Sequence, residues 1–139
     1  MPHLSVEYSA NLDATGRIEA LCRELAQCLD TARDDTRKVF PTGGIRVRAL
    51  RCDHYCIADG TLDAAFVHLN LKIAQGRSEA VRRAIGDALL EVLNAHFADV
   101  FAQRGLALSV EINEFNDLGT WKHNNLHARL KAKQEQASC

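Results

Sequence analysis

Pro2 is the first residue whose type and position could support chemistry. The sequence opens MPHLSVEY, and an initiator methionine is normally removed before a residue as small as proline. Inside a chain a proline nitrogen is an amide without a proton, whereas a free α-amino group titrates at about pH 8. Pro2 at the amino terminus is therefore a candidate general base. The structural alternative is that proline simply begins a strand, where no ladder N–H is needed.

Three arginines form the second candidate group. Arg46 and Arg48 are two residues apart in GIRVRAL, so both point to the same side of a predicted strand. Arg77 lies in the turn QGRS after another predicted strand, and α/β sheets commonly place ligand sites at strand ends. A guanidinium binds a carboxylate through two parallel hydrogen bonds, so this set suits a polycarboxylate substrate. For any single arginine, an exposed salt bridge is the alternative.

The sequence offers little support for a metal or a bound cofactor. In CDHYC the two sulfurs of Cys52 and Cys56 would lie about 13 Å apart along a strand, too far for one zinc ion. His123 and His127 are four residues apart in KHNNLHARL but have no third ligand, so we expect surface or packing positions for them. No GxSxG, P-loop or GxGxxG motif is present. We therefore expect no metal and no cofactor.

Composition and charge narrow the class of protein. With 139 residues, 47% of them hydrophobic and 25% charged, the chain fits one globular domain. The net charge of −1 does not favour a nucleic-acid or membrane partner, and no apolar run approaches the roughly 20 residues of a membrane span. The start lacks a leader pattern. Five scattered cysteines predict free thiols and a cytoplasmic protein: Cys22, Cys28, Cys52, Cys56 and Cys139.

The first half of the chain predicts a strand, a helix and a second strand. Leu4, Val6 and Tyr8 alternate with polar residues, which is typical of a half-buried strand. From Asp13 to about Arg33, apolar residues recur at intervals of three and four, which indicates an amphipathic helix. The turn FPTGG leads into the strand GIRVRAL. A hairpin or excursion containing ADG then continues to about residue 63.

The second half repeats this order. FVHLNLKI predicts a strand, Ser78 is a plausible N-cap, a long helix continues to about Gln103, and LALSVEINEF predicts the fourth strand. Gly105 is a suitable stop for the helix. A shift of about 65 residues lays PHLSV on VHLNL, so we expect an internal duplication, with repeats at about 2–56 and 64–115.

These elements predict an α/β two-layer sandwich, in which a four-stranded sheet carries two helices on one face. The single domain would span residues 2–131, and the polar residues 132–139 would form a flexible tail. No predicted helix remains to cover the other face of the sheet. We therefore expect an oligomer.

Six motifs, in order, resemble those of the 5-carboxymethyl-2-hydroxymuconate Δ-isomerase family of the tautomerase superfamily. They are PHLSVEYS, FPTGGIRVR, ADG, AFVHLNLKIAQGRS, LALSVEINE and KHNNLHARLK. The resemblance covers the chain from Pro2 to about Lys131. The block AFVHLNLKIAQGRS also resembles the first strand and turn of the small 4-oxalocrotonate tautomerases. The resemblance implies a duplicated β-α-β tautomerase fold.

The resemblance also implies the site and the reaction. Pro2 would be the base, with Arg46 and Arg77 as catalytic arginines. The second repeat has Val67 where the first has Pro2, so one base per subunit is expected. The implied enzyme is a cofactor-free homotrimer whose sheets enclose a central barrel. It would ketonise the dienol polycarboxylate 5-carboxymethyl-2-hydroxymuconate in homoprotocatechuate breakdown.

Two alternative functions stay open on the sequence. The same proline and arginines would also suit dehalogenation or hydration of unsaturated acids. From a different class, the fold could serve as a non-catalytic trimeric interaction module. Retention of Met1 would favour the module, because an acylated proline nitrogen cannot act as a base.

Overall fold

The computed structural model describes residues 1–139. The strands are β1 (His3–Ser9), β2 (Arg33–Asp34), β3 (Arg37–Lys38), β4 (Arg46–Cys52), β5 (Ala64–Ala74) and β6 (Gly105–Phe115). The helices are α1 (Ile18–Thr31), α2 (Glu79–His96), α3 (Ala98–Gln103) and α4 (Leu126–Ala137). Short 3₁₀ turns occupy Ala10–Leu12, Thr42–Gly44 and Asp117–Gly119. None of these helices combines the length and apolar character needed to cross a membrane.

The main sheet has the strand order β4-β1-β5-β6. Strand β1 runs parallel to β4, strand β5 runs parallel to β6, and the central pair of β1 and β5 is antiparallel. In the ladder between β1 and β5, His3 pairs with Lys72 and Glu7 pairs with His68. His68 lies 65 residues after His3, and Glu7 lies 65 residues before Lys72, so the second pair repeats the first with the strands exchanged. A duplicated β-α-β unit would produce this symmetric register. The duplication itself stays a prediction.

One face of the sheet forms the core with the two long helices. Alternate residues of β1 and β5 are fully buried there, as are the inward leucines of α1 and α2: Leu4, Val6, Val67, Leu69, Leu71, Ile73, Leu21, Leu25, Leu29, Leu89 and Leu93. Helix α1 packs against β4, α2 packs against β6, and the two helices contact each other. Each fully buried side chain of this kind contributes about 1.5–3 kcal/mol. The predicted two-layer α/β sandwich is confirmed.

The opposite face of the sheet is polar. It carries alternate residues of all four strands, among them His3, Ser5, Glu7, Arg48, His68, Asn70, Ser109 and Glu111. A side-chain hydrogen bond joins the neighbouring strands β5 and β6 on this face, since His68 Nδ1 lies 2.8 Å from Ser109 Oγ. A polar, partly exposed sheet face is suited to solvent or to another subunit.

Three element boundaries differ from the prediction. Helix α1 begins at Ile18 and not near residue 13, because the backbone of Arg17 is left-handed with φ of 45°. The second long helix breaks at Phe97 and continues as α3. Residues 132–137 of the predicted tail lie in α4, which has no buried residue, and the flexibility of the tail stays a prediction. The α4 sequence LKAKQEQA is rich in strong helix formers, which explains a helix without a core face.

His96 ties the carboxyl end of α2 to the start of α1. Its ring is buried, with Nδ1 2.9 Å from Glu24 Oε2 and Nε2 2.7 Å from the Gly16 carbonyl oxygen. Each ring nitrogen therefore has a hydrogen-bond partner. Arg17 completes the junction by donating a 2.8 Å hydrogen bond to the His96 carbonyl.

Replacing His96 should therefore destabilise the fold. In His96→Ala the Gly16 carbonyl loses its partner and a buried ring is removed, so the free energy of unfolding should fall by about 2–4 kcal/mol. Urea unfolding at equal protomer concentration measures it. The matched control is His54→Ala, at an exposed histidine, which should change stability by less than about 0.5 kcal/mol. Equal stability of the two variants would contradict the assigned role of His96.

Candidate active site

The amino terminus is held at one end of the sheet. Pro2 is buried and precedes β1, and its carbonyl accepts a 3.1 Å hydrogen bond from the backbone N–H of Arg46. His3 then pairs with Arg46 in the ladder between β1 and β4. The first residues of the chain are thus fixed beside the start of β4, although chain termini usually fray.

Arg77 is positioned by the turn that follows β5. Gly76 adopts φ of 111°, which allows the sharp change in direction after the strand. The Arg77 guanidinium donates hydrogen bonds to the carbonyls of Ala74 at 2.9 Å and Val39 at 3.2 Å. Its central carbon also lies 4.9 Å from the ring centroid of the fully buried Phe40. This cation–π contact and the two hydrogen bonds hold the charge in one place.

Arg46 is held by the turn before β4. Its guanidinium donates hydrogen bonds to the carbonyls of Gly43 at 3.0 Å and Ile45 at 2.8 Å. Gly43 and Gly44 are buried in the 3₁₀ turn. A Cβ atom at Gly44 would lie 3.4 Å from Met1 Cγ, so the turn and the terminus are in contact. Both arginines named as catalytic candidates have their guanidinium groups bound to backbone carbonyls.

The charges around the amino terminus lower the basicity of its nitrogen. In the structure that nitrogen belongs to Met1, and burial lowers the pKa of its α-amino group below the ordinary value of 8.0. The charges of Lys122, then Arg77 and more weakly Arg46 lower the pKa further, while Asp117 raises it. The structure therefore brings the terminus together with two of the three predicted arginines.

Arg48 occupies a different place. It is exposed on the polar face of the sheet and pairs with Ser5 across the ladder. After burial, the charge of Arg48 is the largest cause of the lowered pKa of His3. It is not among the groups that shift the pKa of the Met1 α-amino group. A substrate-binding role for Arg48 stays a prediction.

The chain after β6 supplies one wall of a cleft at the amino terminus. The cleft has a volume of about 390 Å³ and is lined by Met1, Pro41, Lys122, His123, Asn124 and His127. The His127 ring packs on the buried turn, since a Cβ atom at Gly43 would lie only 2.7 Å from its Nδ1. Packing was expected for His127, but sequence spacing did not predict that this segment reaches the terminus. The one available signal was the polar motif KHNNLHARLK.

Other concave or reactive regions lie apart from these residues. A groove of about 510 Å³ runs between α2 and β6 and includes no residue of the amino terminus. All five cysteines are free, with Cys52 ending β4 and Cys56 exposed in the loop beyond it. No group of three or more His, Cys, Asp or Glu side chains is arranged to hold a metal ion. The amino-terminal cleft is the candidate active site, because it is lined by Met1, whose amino group lies near the charges of Arg77 and Arg46, although neither arginine lines the cleft itself.

Solved structures share this fold. A structure described as a fused 4-OT wild type symmetric trimer is 17% identical, with a TM-score of 0.65, and the match covers 87% of this chain and 91% of that chain. At this identity the likeness shows the fold alone. The chain thus has the tautomerase fold that the sequence predicts.

Closer similarities define the family. The family model of 5-carboxymethyl-2-hydroxymuconate isomerase matches residues 2–130. The 5-carboxymethyl-2-hydroxymuconate Delta-isomerase of Escherichia coli is 38% identical over 131 residues, covering 94% of this chain and all of the relative. A crystal structure of a 5-carboxymethyl-2-hydroxymuconate isomerase from Deinococcus radiodurans R1 is 53% identical, with a TM-score of 0.83 and 93% coverage of each chain. The chain belongs to the 5-carboxymethyl-2-hydroxymuconate isomerase family, which confirms the predicted family and the isomerase class.

The contact between His127 and Gly43 gives a test of how the cleft wall is attached. In Gly43→Ala the new methyl group displaces the His127 ring, at a cost of about 1 kcal/mol. Trypsin should then cleave α4, for example at Arg129, roughly fivefold faster. The reason is that a helix detached from the turn is unfolded, and so accessible to the protease, for a larger fraction of the time. Mass spectrometry of the fragments measures the rate.

Gly119→Ala is the matched control, because a Cβ atom there has no neighbour within 4 Å. Its cleavage rate should equal that of the parent chain. An unchanged rate in Gly43→Ala as well would show that His127 does not anchor the helix.

Proposed function

We propose that this chain is a cofactor-free isomerase that uses Pro2 as general base to ketonise a dienol polycarboxylate. The substrate would be 5-carboxymethyl-2-hydroxymuconate, formed in the breakdown of homoprotocatechuate. The observation that carries the proposal is the position of the amino terminus, which is held against β4 and surrounded by Arg46 and Arg77. The names of the Escherichia coli and Deinococcus radiodurans relatives support the substrate.

Removal of Met1 would give the proline nitrogen the environment of a base. Burial and the charges of Lys122, Arg77 and Arg46 lower the pKa of the Met1 α-amino group. The Pro2 nitrogen would lie one residue further into the same surroundings. Its pKa would be lowered for the same reasons, so the neutral amine would prevail at a lower pH than in a free peptide. A general base works best with its pKa near the operating pH.

The arginines would bind and stabilise negative charge. Neither Arg46 nor Arg77 pairs with an acidic side chain. Their guanidinium groups are fixed by backbone carbonyls and retain further N–H donors for a carboxylate. Fixed cations that stabilise the charge of a transition state need no reorganisation during the reaction.

The reaction moves one proton and shifts a double bond. The neutral Pro2 nitrogen takes the enol proton, or an allylic one, and becomes a prolinium ion. In the enol route, the O–H electron pair forms the carbonyl double bond and the dienolate carries the negative charge beside the arginines. The prolinium then returns the proton to a distal carbon. The base ends neutral, so no oxidant, reductant or cofactor is required.

A homotrimer would bury the polar face of the sheet. The two long helices lie on the opposite face, and the fused 4-OT structure with the same fold is described as a symmetric trimer. We propose that three copies of this chain enclose a barrel with their polar sheet faces inward. The five free thiols are compatible with a reducing compartment such as the cytoplasm.

The first test compares the chain with and without Met1, each verified by intact mass. Loss of the ultraviolet band of the 5-carboxymethyl-2-hydroxymuconate dienol is followed against its spontaneous rate. The Met1-free chain should accelerate the decay, and its kcat/KM should fall as the pH drops and Pro2 is protonated. Pro2→Ala retains a primary α-amine, so its kcat/KM should fall by about 10–10² with the fold unchanged.

Two outcomes would contradict this proposal. Equal activity with Met1 retained would remove the proline nitrogen from the mechanism. An inactive Met1-free trimer would favour an interaction module, or another unsaturated acid, and chloride release from a 3-haloacrylate would identify a dehalogenase.

A second test concerns Arg77. Arg77→Ala removes a fixed cation beside the proposed base, so kcat/KM should fall by about 10². The control is Arg83→Ala, at an exposed arginine paired with Glu79 on the surface of α2, and it should retain full activity. Because Arg77→Ala also removes the contact with Phe40, thermal unfolding is used to check that the variant is folded. A folded Arg77→Ala enzyme with unchanged kcat/KM would exclude Arg77 from the site.

A further inference from the structure

We propose that Lys122, in the segment after β6, is a substrate-binding residue. It supplies a third cation for a substrate with three carboxylates. The inference rests on the proposed function and narrows its substrate class. It concerns a residue for which the sequence predicted no role.

The position of Lys122 is the first argument. Lys122 and Met1 line the same cleft of about 390 Å³, with Pro41 and three further residues of the segment. Among the charged groups near the Met1 α-amino nitrogen, Lys122 has a larger effect on its pKa than either Arg77 or Arg46. The lysine charge is therefore close to where the reacting atoms of a substrate on Pro2 would lie.

The second argument is that the Lys122 charge is unpaired. Lys122 takes part in none of the ion pairs of the structure, in contrast to Lys38 with Asp30 or Lys131 with Glu135. Asp117 lies on the same segment and opposes the lysine in its effect on the terminus, but the effect of Asp117 is smaller. An exposed ammonium without a protein counter-ion, in a cleft with other cations, is available to an anionic ligand.

The third argument is that the segment is anchored close to Lys122. The Leu126 backbone N–H donates a 3.1 Å hydrogen bond to Asn124 Oδ1, which starts α4. His127 on the next turn packs on Gly43. The contact of His127 does not involve Met1, so it remains after Met1 is removed and holds the segment five residues beyond Lys122.

The charges of the substrate match this arrangement. A muconate has a carboxylate at each end, and the 5-carboxymethyl group adds a third. Arg46 and Arg77 would account for two carboxylates, because each guanidinium pairs with one. An ammonium on a flexible stem suits the third, since it binds as a point charge without a fixed geometry. Lys122 would then distinguish the tricarboxylate from 2-hydroxymuconate, which has two carboxylates.

The experiment measures kcat and KM of Met1-free enzyme with both dienols. In Lys122→Ala, measured at a pH where the rate no longer depends on pH, KM for 5-carboxymethyl-2-hydroxymuconate should rise about tenfold while the kinetic constants for 2-hydroxymuconate change less than twofold. Lys122→Arg should restore most of the preference for the tricarboxylate. Lys131→Ala, which removes an exposed lysine of α4, should behave as the parent enzyme with both substrates.

Two results would overturn the assignment. One is an equal change with both dienols at every pH, because Lys122 would then act only through the amine. The other is unchanged kinetics in Lys122→Ala.

If the parent enzyme accelerates neither dienol, the proposed function fails and binding decides this inference. Calorimetry then compares tricarballylate, a tricarboxylate, with glutarate, its dicarboxylate counterpart. Selective weakening of tricarballylate binding by Lys122→Ala supports the subsite, and equal binding by parent and variant overturns it.

Discussion

The hydrogen bond from the Arg46 N–H to the Pro2 carbonyl is the contact on which the site depends. At 3.1 Å it continues the ladder between β1 and β4 back to the second residue of the chain. A strand between two partners cannot shift without losing both ladders and exposing its buried Leu4 and Val6. The core on the helix face therefore holds the amino terminus, and a nitrogen that would otherwise fray in water acquires a defined environment.

The cations around the terminus lower the stability of the folded state but leave positive charge available to an anionic ligand. Arg46, Arg77 and Lys122 lie near one another and near a positive amino group, and like charges raise the energy of the folded state. Backbone carbonyls and the Phe40 ring offset part of that cost by holding the two guanidinium groups without neutralising them. The charge that remains favours a neutral amine and attracts carboxylates. Under the proposed function, one arrangement would serve both proton transfer and substrate binding.

The two faces of the sheet have different roles. The helix face supplies the apolar burial that stabilises the fold. Its alternating apolar residues could be recognised in the sequence because the side-chain period of a strand is two. The face with Arg48 and His68 follows the same alternation but is polar, and only neighbouring subunits or solvent can complete it. The ends of the strands, where neither face dominates, are where the turns and the chain after β6 meet to form the cleft.

Sequence alone determined the four strands of the main sheet, the two long helices, the two-layer fold and the family, because periodicity is local and six short motifs kept their order. It also named Pro2, Arg46 and Arg77, which the structure brings to one end of the sheet. Tertiary structure decided the antiparallel pairing of β1 with β5, the separation of Arg48 from the terminus, and the approach of Lys122 to Met1. Each of these depends on contacts between residues far apart in the chain, and His127 packing on Gly43 leaves no trace in local spacing.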